Sequence, residues 1–168
     1  MKNFMGIDEF PWLSLLEEYT NDIRNECLAV KDEFQPWPET EYHNGLWHVY
    51  GIYDYPFGRS EYQHKAPITA DLIKNIVPNH GAAGFTLLKP GAKIYPHRGL
   101  IGAILRIHLP LIVPDGDVAF SVRGETHRWV EGKTWVFNDR LHHEAWNNTQ
   151  YNRYILVIDF KREARPHD

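Results

Sequence analysis

Histidines near predicted strand ends are the residues of this sequence best suited to bind a metal ion. The chain has ten histidines and one cysteine, Cys27, so imidazole is the most available metal ligand and an intramolecular disulfide is excluded. His97 lies at the end of one predicted strand, and His143 follows the end of another. Such a pair is weak evidence by itself, because any histidine-rich chain offers several.

The residues after His97 argue against the most familiar non-haem iron site. That site takes two histidines and one carboxylate, and the acid usually stands two positions after the first histidine. Here the triplet is His97-Arg98-Gly99, and glycine has no side chain that could bind a metal. The pattern predicts either a missing ligand or a metal whose coordination is completed by water.

Two predicted strands place arginines on faces that alternate with apolar residues. Arg106 and His108 share one face of the segment 103–113, and Arg153 begins a face of the last strand. A strand with a solvated outer face is the simpler interpretation of the first segment taken alone. If both faces line a barrel interior, the two guanidinium groups need an anion, because a buried unpaired cation is strongly disfavoured. A carboxylate ligand would meet that need.

Hydrophobic periodicity predicts helices in the first half of the chain and strands in the second. Residues 12–30 carry an apolar stripe at helical spacing, which places Cys27 in the core, and residues 68–77 form a shorter helical pattern. Residues 47–53 are β-branched and aromatic, as in a strand. From Phe85 onward, short strand patterns alternate with Gly and Pro turns, which is typical of a sandwich or jelly roll.

The sequence therefore predicts an α+β protein, a double-stranded β-helix (cupin-like jelly roll) with N-terminal helices packed on it. We expect one domain over 1–168, with a helical part of about 1–80 and a jelly-roll core of about 84–161. The formal net charge of -4 argues against a general basic field for nucleic acid. No apolar stretch approaches the ~20 residues of a membrane span. The polar N-terminus does not fit a signal peptide, so we expect a cytoplasmic protein.

In combination, these residues resemble the aspartyl/asparaginyl β-hydroxylase family of Fe(II)/2-oxoglutarate oxygenases. The segment from Phe85 to Asp159 carries, in order, His-x-Gly, Arg-x-His, Phe-x-Asp, His-Glu-x-Trp and a later Arg. A weaker similarity reaches back to the segment LEEYTNDIRNECLAV, so the resemblance covers most of the chain. The family uses two histidines, with glycine at the customary acidic position, and Gly99 matches that pattern.

The resemblance implies an enzyme that hydroxylates an unactivated C–H bond with O₂ and 2-oxoglutarate, giving succinate and CO₂. Its substrate would be an amino acid, a peptidyl Asp or Asn, or a related small molecule. By this resemblance His97 and His143 bind Fe(II). The implied contacts to 2-oxoglutarate are Thr86 and Arg153 at the distal carboxylate, and Arg106 and His108 near the carboxylate that chelates the metal.

One position departs from the family pattern. Peptide-hydroxylating members carry an arginine two positions before the residue that matches Arg106, where this chain has Ile104. That arginine helps to hold the acidic side chain of the substrate. An aspartyl-peptide substrate is therefore in doubt, and a free amino acid or a natural-product intermediate is an alternative.

Two functions outside this class also fit the sequence. One is a cupin-like metal enzyme that does not use 2-oxoglutarate, and the other is a non-catalytic jelly-roll module that binds an acidic metabolite. Asp139 could orient His143 or cap a turn, and Trp146 could shape the pocket or pack in the core. Pocket candidates in the N-terminal half, on aromatic or charged character alone, are Trp47, Tyr50 and Arg59.

Overall fold

A computed structural model of the chain describes residues 2–54, 60–99 and 104–162. The helices in these ranges are α1 (Leu13–Glu18), α2 (Thr20–Ala29), α3 (Ser60–Lys65) and α4 (Pro67–Ile76). The strands are β1 (Gln35–Pro36), β2 (Trp47–Tyr53), β3 (His80–Leu88), β4 (Lys93–His97), β5 (Ile104–Ile112), β6 (Val118–Val122), β7 (Glu125–His127), β8 (Trp135–Asn138), β9 (His143–Asn147) and β10 (Arg153–Lys161).

The strands form two antiparallel sheets. The larger sheet has the order β1-β2-β3-β10-β5-β8, and the smaller has the order β4-β9-β6-β7. Strands that follow one another along the chain fall alternately into the two sheets between β3 and β6, as in a jelly roll. The predicted α+β, cupin-like fold with N-terminal helices is confirmed.

The large sheet separates two buried apolar clusters. The first lies on its helical side, where Ile23 of α2 and Ile73 of α4 join Leu109 of β5 and Leu156 of β10. The second lies between the sheets and is rich in aromatic rings. Because alternate residues of a strand point to opposite faces, β10 supplies both clusters, whereas β5 supplies the first cluster and presents Arg106 and His108 on its other face. The predicted alternation along these strands is therefore confirmed.

The helix predicted over 12–30 is divided in two at Tyr19. The backbone of Tyr19 leaves the helical region at φ -100° and ψ 15°, and the hydroxyl of Thr20 donates to the carbonyl oxygen of Glu17 at 2.7 Å. A side-chain bond of this kind offers the backbone an alternative to the helix ladder. Cys27 is buried on α2, and burial raises the pKa of its thiol, so its predicted core position is confirmed.

Three elements were not predicted from the sequence, namely the two-residue strand β1, helix α3 and strand β9. Helix α3 is short, and β9 has only partial apolar alternation: His143, Ala145 and Asn147 point inward while the residues between them are half-buried. Trp146 is one of the half-buried residues, and its indole donates to Asp117 Oδ1 at 2.7 Å. It does not line the cavities described below. Among the described helices, none is both long and apolar enough to cross a bilayer.

Candidate active site

The two histidines singled out as metal ligands stand opposite each other on neighbouring strands. His97 ends β4 and His143 begins β9, and the two residues are direct partners in the antiparallel register. Their ring centroids are 4.5 Å apart, with the planes inclined at 59°. The strand pairing therefore brings together two side chains that are 46 positions apart in the sequence.

Backbone carbonyls fix the tautomer of both rings. Nδ1 of His97 lies 2.7 Å from the carbonyl oxygen of Tyr95, and Nδ1 of His143 lies 2.8 Å from that of Leu141. A carbonyl oxygen only accepts, so Nδ1 carries the proton and Nε2 keeps its lone pair in each neutral ring. Burial lowers the pKa of His143 to about 4, which keeps that ring neutral at pH 7. This is the arrangement that a metal-binding histidine needs.

Asp139 fills the space beside Gly99. The Gly99 N–H donates to the carbonyl oxygen of Asp139 at 2.7 Å, and a Cβ at position 99 would collide with the Asp139 carboxylate. Oδ1 of Asp139 is 3.5 Å from His143 Nε2. A carboxylate from the turn after β8 thus lies close to the histidine pair. The Nδ1 edge of His143 is held by Leu141, so Asp139 does not orient the ring from that side.

Among the described residues, no three His, Cys, Asp or Glu side chains form a ready metal-binding group. The histidine pair supplies two nitrogens, and the Asp139 carboxylate stands nearby. The donor set fits a metal that takes two imidazoles from the protein and leaves its other positions to small molecules.

The guanidinium of Arg153 is buried without a carboxylate partner among the described residues. The side chain begins β10 and is 2% exposed. Nη2 donates to the hydroxyl of Thr86 on β3 at 3.2 Å, and Cζ lies 4.5 Å from the centroid of the Trp129 ring. Within the described ranges, Nε has no hydrogen-bond partner. Burial lowers the pKa of Arg153 to about 9, which shows how unfavourable its charge is in this position.

Arg106 faces the same cavity but is neutralised by the protein. Its Nε and Nη2 donate to the two oxygens of Asp159 at 2.6 and 3.0 Å, and Nη1 lies 3.2 Å from Asp139 Oδ1. The prediction that both arginines require an external anion is therefore wrong for Arg106. Asp159 was overlooked, although it lies on the same face of β10 as Arg153, six residues along the strand.

His108 differs from the other two histidines in its hydrogen bond. Its ring is buried on β5, and its Nδ1 accepts from the indole N–H of Trp129 at 3.1 Å. Burial, together with the charges of Arg153 and Arg106, holds the pKa of His108 well below its usual value. The ring is therefore neutral.

A narrow inner cavity of about 30 Å³ collects all six residues predicted for the site, Thr86, His97, Arg106, His108, His143 and Arg153. It adjoins an outer cleft of about 270 Å³. The two spaces share Trp37, Trp47, His97 and Arg106 in their walls. The site therefore has an interior compartment and an outer compartment that meet at one histidine of the pair.

The outer cleft contains residues that the sequence did not single out. The indole of Trp37 stacks on that of Trp47, with centroids 4.1 Å apart and an interplanar angle of 6°. Tyr42 stacks on His97 at 4.3 Å. Of the N-terminal candidates, Trp47 lines both spaces and Tyr50 lies in the helix-side cluster. Arg59 lies outside the described residues.

Comparison with known proteins gives a consistent family match. A family model described as aspartyl/asparaginyl beta-hydroxylase matches residues 17–163. The chain is 39% identical over 168 residues to an ornithine lipid ester-linked acyl 2-hydroxylase of Rhizobium tropici, covering 93% of the chain and 59% of that protein. It is 27% identical over 176 residues to human aspartyl/asparaginyl beta-hydroxylase, covering 94% of the chain and 23% of that protein. The chain thus spans less than two thirds of these relatives.

Solved structures support the fold alone. A Pseudomonas putida prolyl-4-hydroxylase aligns with a TM-score of 0.59 at 17% identity, covering 87% of each chain. A Thermotoga maritima protein described as a predicted oxalate decarboxylase aligns with a TM-score of 0.51 at 12% identity, covering 77% of this chain and 92% of that one.

Proposed function

The chain belongs to the aspartyl/asparaginyl β-hydroxylase family, and we propose that it is an Fe(II)- and 2-oxoglutarate-dependent hydroxylase. The observation that carries this proposal is the buried guanidinium of Arg153, beside Thr86 and Trp129 and without a carboxylate among the described residues. A buried cation of this kind is strongly disfavoured unless an anion joins it. The distal carboxylate of 2-oxoglutarate would be that anion, with Thr86 as a second hydrogen-bond partner.

His97 and His143 would hold the Fe(II). Their Nε2 lone pairs are set by the carbonyl bonds at Nδ1, and burial keeps His143 neutral. The Asp139 carboxylate lies 3.5 Å from His143 Nε2, so it would bring negative charge close to the metal without serving as a third protein ligand. When bound, Fe(II) supplies the redox chemistry that couples oxidation of 2-oxoglutarate to succinate and CO₂ with hydroxylation of a C–H bond.

The inner cavity would hold the cosubstrate between the histidine pair and Arg153. His108 and Arg106 line the same cavity, and they would contact the carboxylate that chelates the metal, as the family resemblance implies. The Asp159 ion pair holds the Arg106 side chain in place, so Arg106 would act from a fixed position. Since the cavity is only about 30 Å³, the stacked Trp37 and Trp47, which line both spaces, would move aside to admit a five-carbon diacid.

The outer cleft would hold the substrate, and we propose an acyl chain as its occupant. Ile104 lines the cleft at the position where peptide-hydroxylating members have arginine, and Trp37 and Trp47 add an aromatic wall. These three side chains form the apolar part of a lining that also carries Glu39, Arg98, Asp139 and Asp159, and this part suits methylene groups better than a carboxylate. The Rhizobium tropici relative is named for hydroxylation of an ester-linked acyl group, which is consistent with this class.

Succinate formation tests the main proposal. Protein purified without oxygen would be supplied with Fe(II), 2-oxoglutarate and O₂, and succinate measured with and without candidate substrates. His143→Ala should abolish turnover, while the exposed neighbour His142→Ala should retain it. Failure of the Fe(II)-loaded protein to bind 2-oxoglutarate would overturn the proposal and favour a metal enzyme of another class.

The same variants address the passive alternative. If 2-oxoglutarate binding survives in both His97→Ala and His143→Ala, the protein is a metal-independent module for an acidic metabolite. Under our proposal both variants lose bound Fe(II), measured as metal content after gel filtration. Substrate class is tested separately by comparing an ester-linked acyl lipid with an aspartyl peptide, and faster succinate release with the peptide would contradict the acyl assignment.

A further inference from the structure

We infer that Trp129 is a positioning residue for the cosubstrate, because its indole fixes which nitrogen of His108 carries the proton. The inference rests on the proposed function for its consequence, the binding of 2-oxoglutarate, but the tautomer itself can be measured independently. Trp129 lies in the loop between β7 and β8 and is 3% exposed. The sequence pattern did not single it out.

The hydrogen bond between Trp129 and His108 has one possible direction. An indole N–H only donates, so His108 Nδ1, 3.1 Å away, must present a lone pair. A neutral imidazole has one N–H, which must then be at Nε2. The ring does not take up a second proton, because burial and the two nearby arginines hold the pKa of His108 well below its usual value. Trp129 therefore leaves His108 with a donor at the nitrogen that remains.

This arrangement sorts the three histidines of the inner cavity into two kinds. His97 and His143 donate from Nδ1 to carbonyl oxygens and keep a lone pair at Nε2. His108 has the opposite pattern, because its Nδ1 is occupied as an acceptor and its Nε2 is protonated. The first kind suits a metal ion, and the second suits a carboxylate oxygen. One indole thus keeps His108 from competing for the metal and prepares it to donate to a diacid.

Trp129 also supports the other cosubstrate group. Its ring lies 4.5 Å from Cζ of Arg153, a distance at which the ring face attracts a guanidinium. Trp129 is itself held among aromatic neighbours, with ring centroids 5.9 Å from Phe120 and 5.7 Å from Trp135. A rigid indole in contact with both His108 and Arg153 would keep them at a fixed separation.

Trp129→Phe tests the tautomer, and Trp135→Phe is its matched control. Both variants delete a buried indole N–H from one aromatic cluster, but the Trp135 N–H has no hydrogen-bond partner in the part of the chain that the structure describes. Nitrogen-15 NMR of the histidine rings should show His108 as the Nε2–H form in the wild type and in Trp135→Phe. In Trp129→Phe the Nδ1–H form should become populated. A His108 that stays wholly Nε2–H in Trp129→Phe would overturn the inference.

Binding of 2-oxoglutarate to the Mn(II)-loaded protein, followed by calorimetry, tests the consequence. Loss of one neutral hydrogen bond predicts a Kd about 3- to 10-fold weaker in Trp129→Phe. Trp135→Phe should match the wild type. In a His108→Phe background the effect of Trp129→Phe should largely disappear, because phenylalanine keeps an aromatic face beside Arg153 and the lost indole N–H acts through His108. A full effect in that background would show that Trp129 does not act through His108.

A separate measurement covers each of two experimental failures, misfolding of Trp129→Phe and absence of 2-oxoglutarate binding in the wild type. If Trp129→Phe does not fold, a through-hydrogen-bond coupling between Trp129 Nε1 and His108 Nδ1 in the wild type supports the bond, and its absence rejects it. If the wild type binds no 2-oxoglutarate, the proposed function fails and, with it, the role of Trp129 in cosubstrate binding. The nitrogen spectra would still decide the tautomer.

Discussion

Arg106 and Arg153 project from neighbouring strands of the same sheet face, and their surroundings are opposite. Arg106, toward the outer cleft, has a bidentate partner in Asp159 and a second acid in Asp139. Arg153, in the interior, has a hydroxyl and an aromatic ring. A cation whose charge is balanced by the protein is part of the framework, whereas a buried cation without an acid is prepared for a ligand. Under the proposed function, this difference separates a structural charge, Arg106, from a ligand-binding charge, Arg153, in one cavity.

The largest expected effect is a loss of folding stability when Arg106, the arginine neutralised by the protein, is replaced. Arg106→Met would leave Asp139 and the buried Asp159 without their cation, and leaving a buried charge unpaired typically costs about 3–5 kcal/mol. Urea denaturation should show this loss in the free energy of unfolding. Adding Asp159→Leu should recover part of it. An Arg106→Met variant as stable as the wild type would remove the contrast between the two arginines.

The second largest expected effect is a loss of folding stability on acidification. Burial lowers the pKa of His143 from its ordinary value of 6.5 to about 4. Between these values the unfolded chain holds a proton that the folded chain lacks, so stability falls as the pH decreases through this window, by about 3 kcal/mol in total. His108 acts in the same direction. Denaturation of chelator-treated protein at several pH values checks this, and His143→Phe should flatten the profile.

Arg153→Met should separate binding from stability. The loss of a charge-assisted contact predicts a Kd for 2-oxoglutarate about 10- to 100-fold weaker. Because the guanidinium is buried without an acid, the same variant should unfold at no lower urea concentration than the wild type when the diacid is omitted. Calorimetry and urea denaturation give the two readouts. A large loss of stability would place Arg153 with Arg106 as a framework residue.

Gly99→Ala should have the smallest effect. Its Cβ would collide with the Asp139 carboxylate, but this is the far end of a side chain that can turn aside, so we expect a cost of about 1 kcal/mol. The displaced carboxylate would no longer lie beside Arg106. In an Asp139→Ala background the cost should fall, as measured by the same denaturation series.

The sequence was most informative where alternation along a strand decides the outcome. The parity of residues in β5 and β10 predicted which side chains share a face, and the family resemblance predicted that this face meets a ligand. The Arg106–Asp159 ion pair depends on the register of β10 against β5, which includes a shift after Tyr154. Local periodicity does not specify such a register.

Hydrophobic periodicity did not predict the cavity residues that loops contribute. Trp129 follows the short strand β7, and Trp37 reaches the cleft from the segment between β1 and β2. Their roles depend on tertiary packing against His108 and Trp47. Strand β9 was missed because only its alternate residues are buried and two of those, His143 and Asn147, are polar. In each case the role of the residue depends on neighbours that are close in space but distant in the sequence.

The close approach of Gly99 to Asp139 has an evolutionary consequence. One base change converts a glycine codon to an aspartate or glutamate codon, so an ordinary two-histidine, one-carboxylate set would appear to be a single mutation away. A carboxylate at position 99 would enter the space of the Asp139 carboxylate, so repulsion between two negative charges would add to the steric cost that alanine incurs, and Asp139 also contacts Arg106. A lineage would have to change positions 99 and 139 together and find a new partner for the arginine. Packing thus makes the two-histidine arrangement hard to leave by single steps.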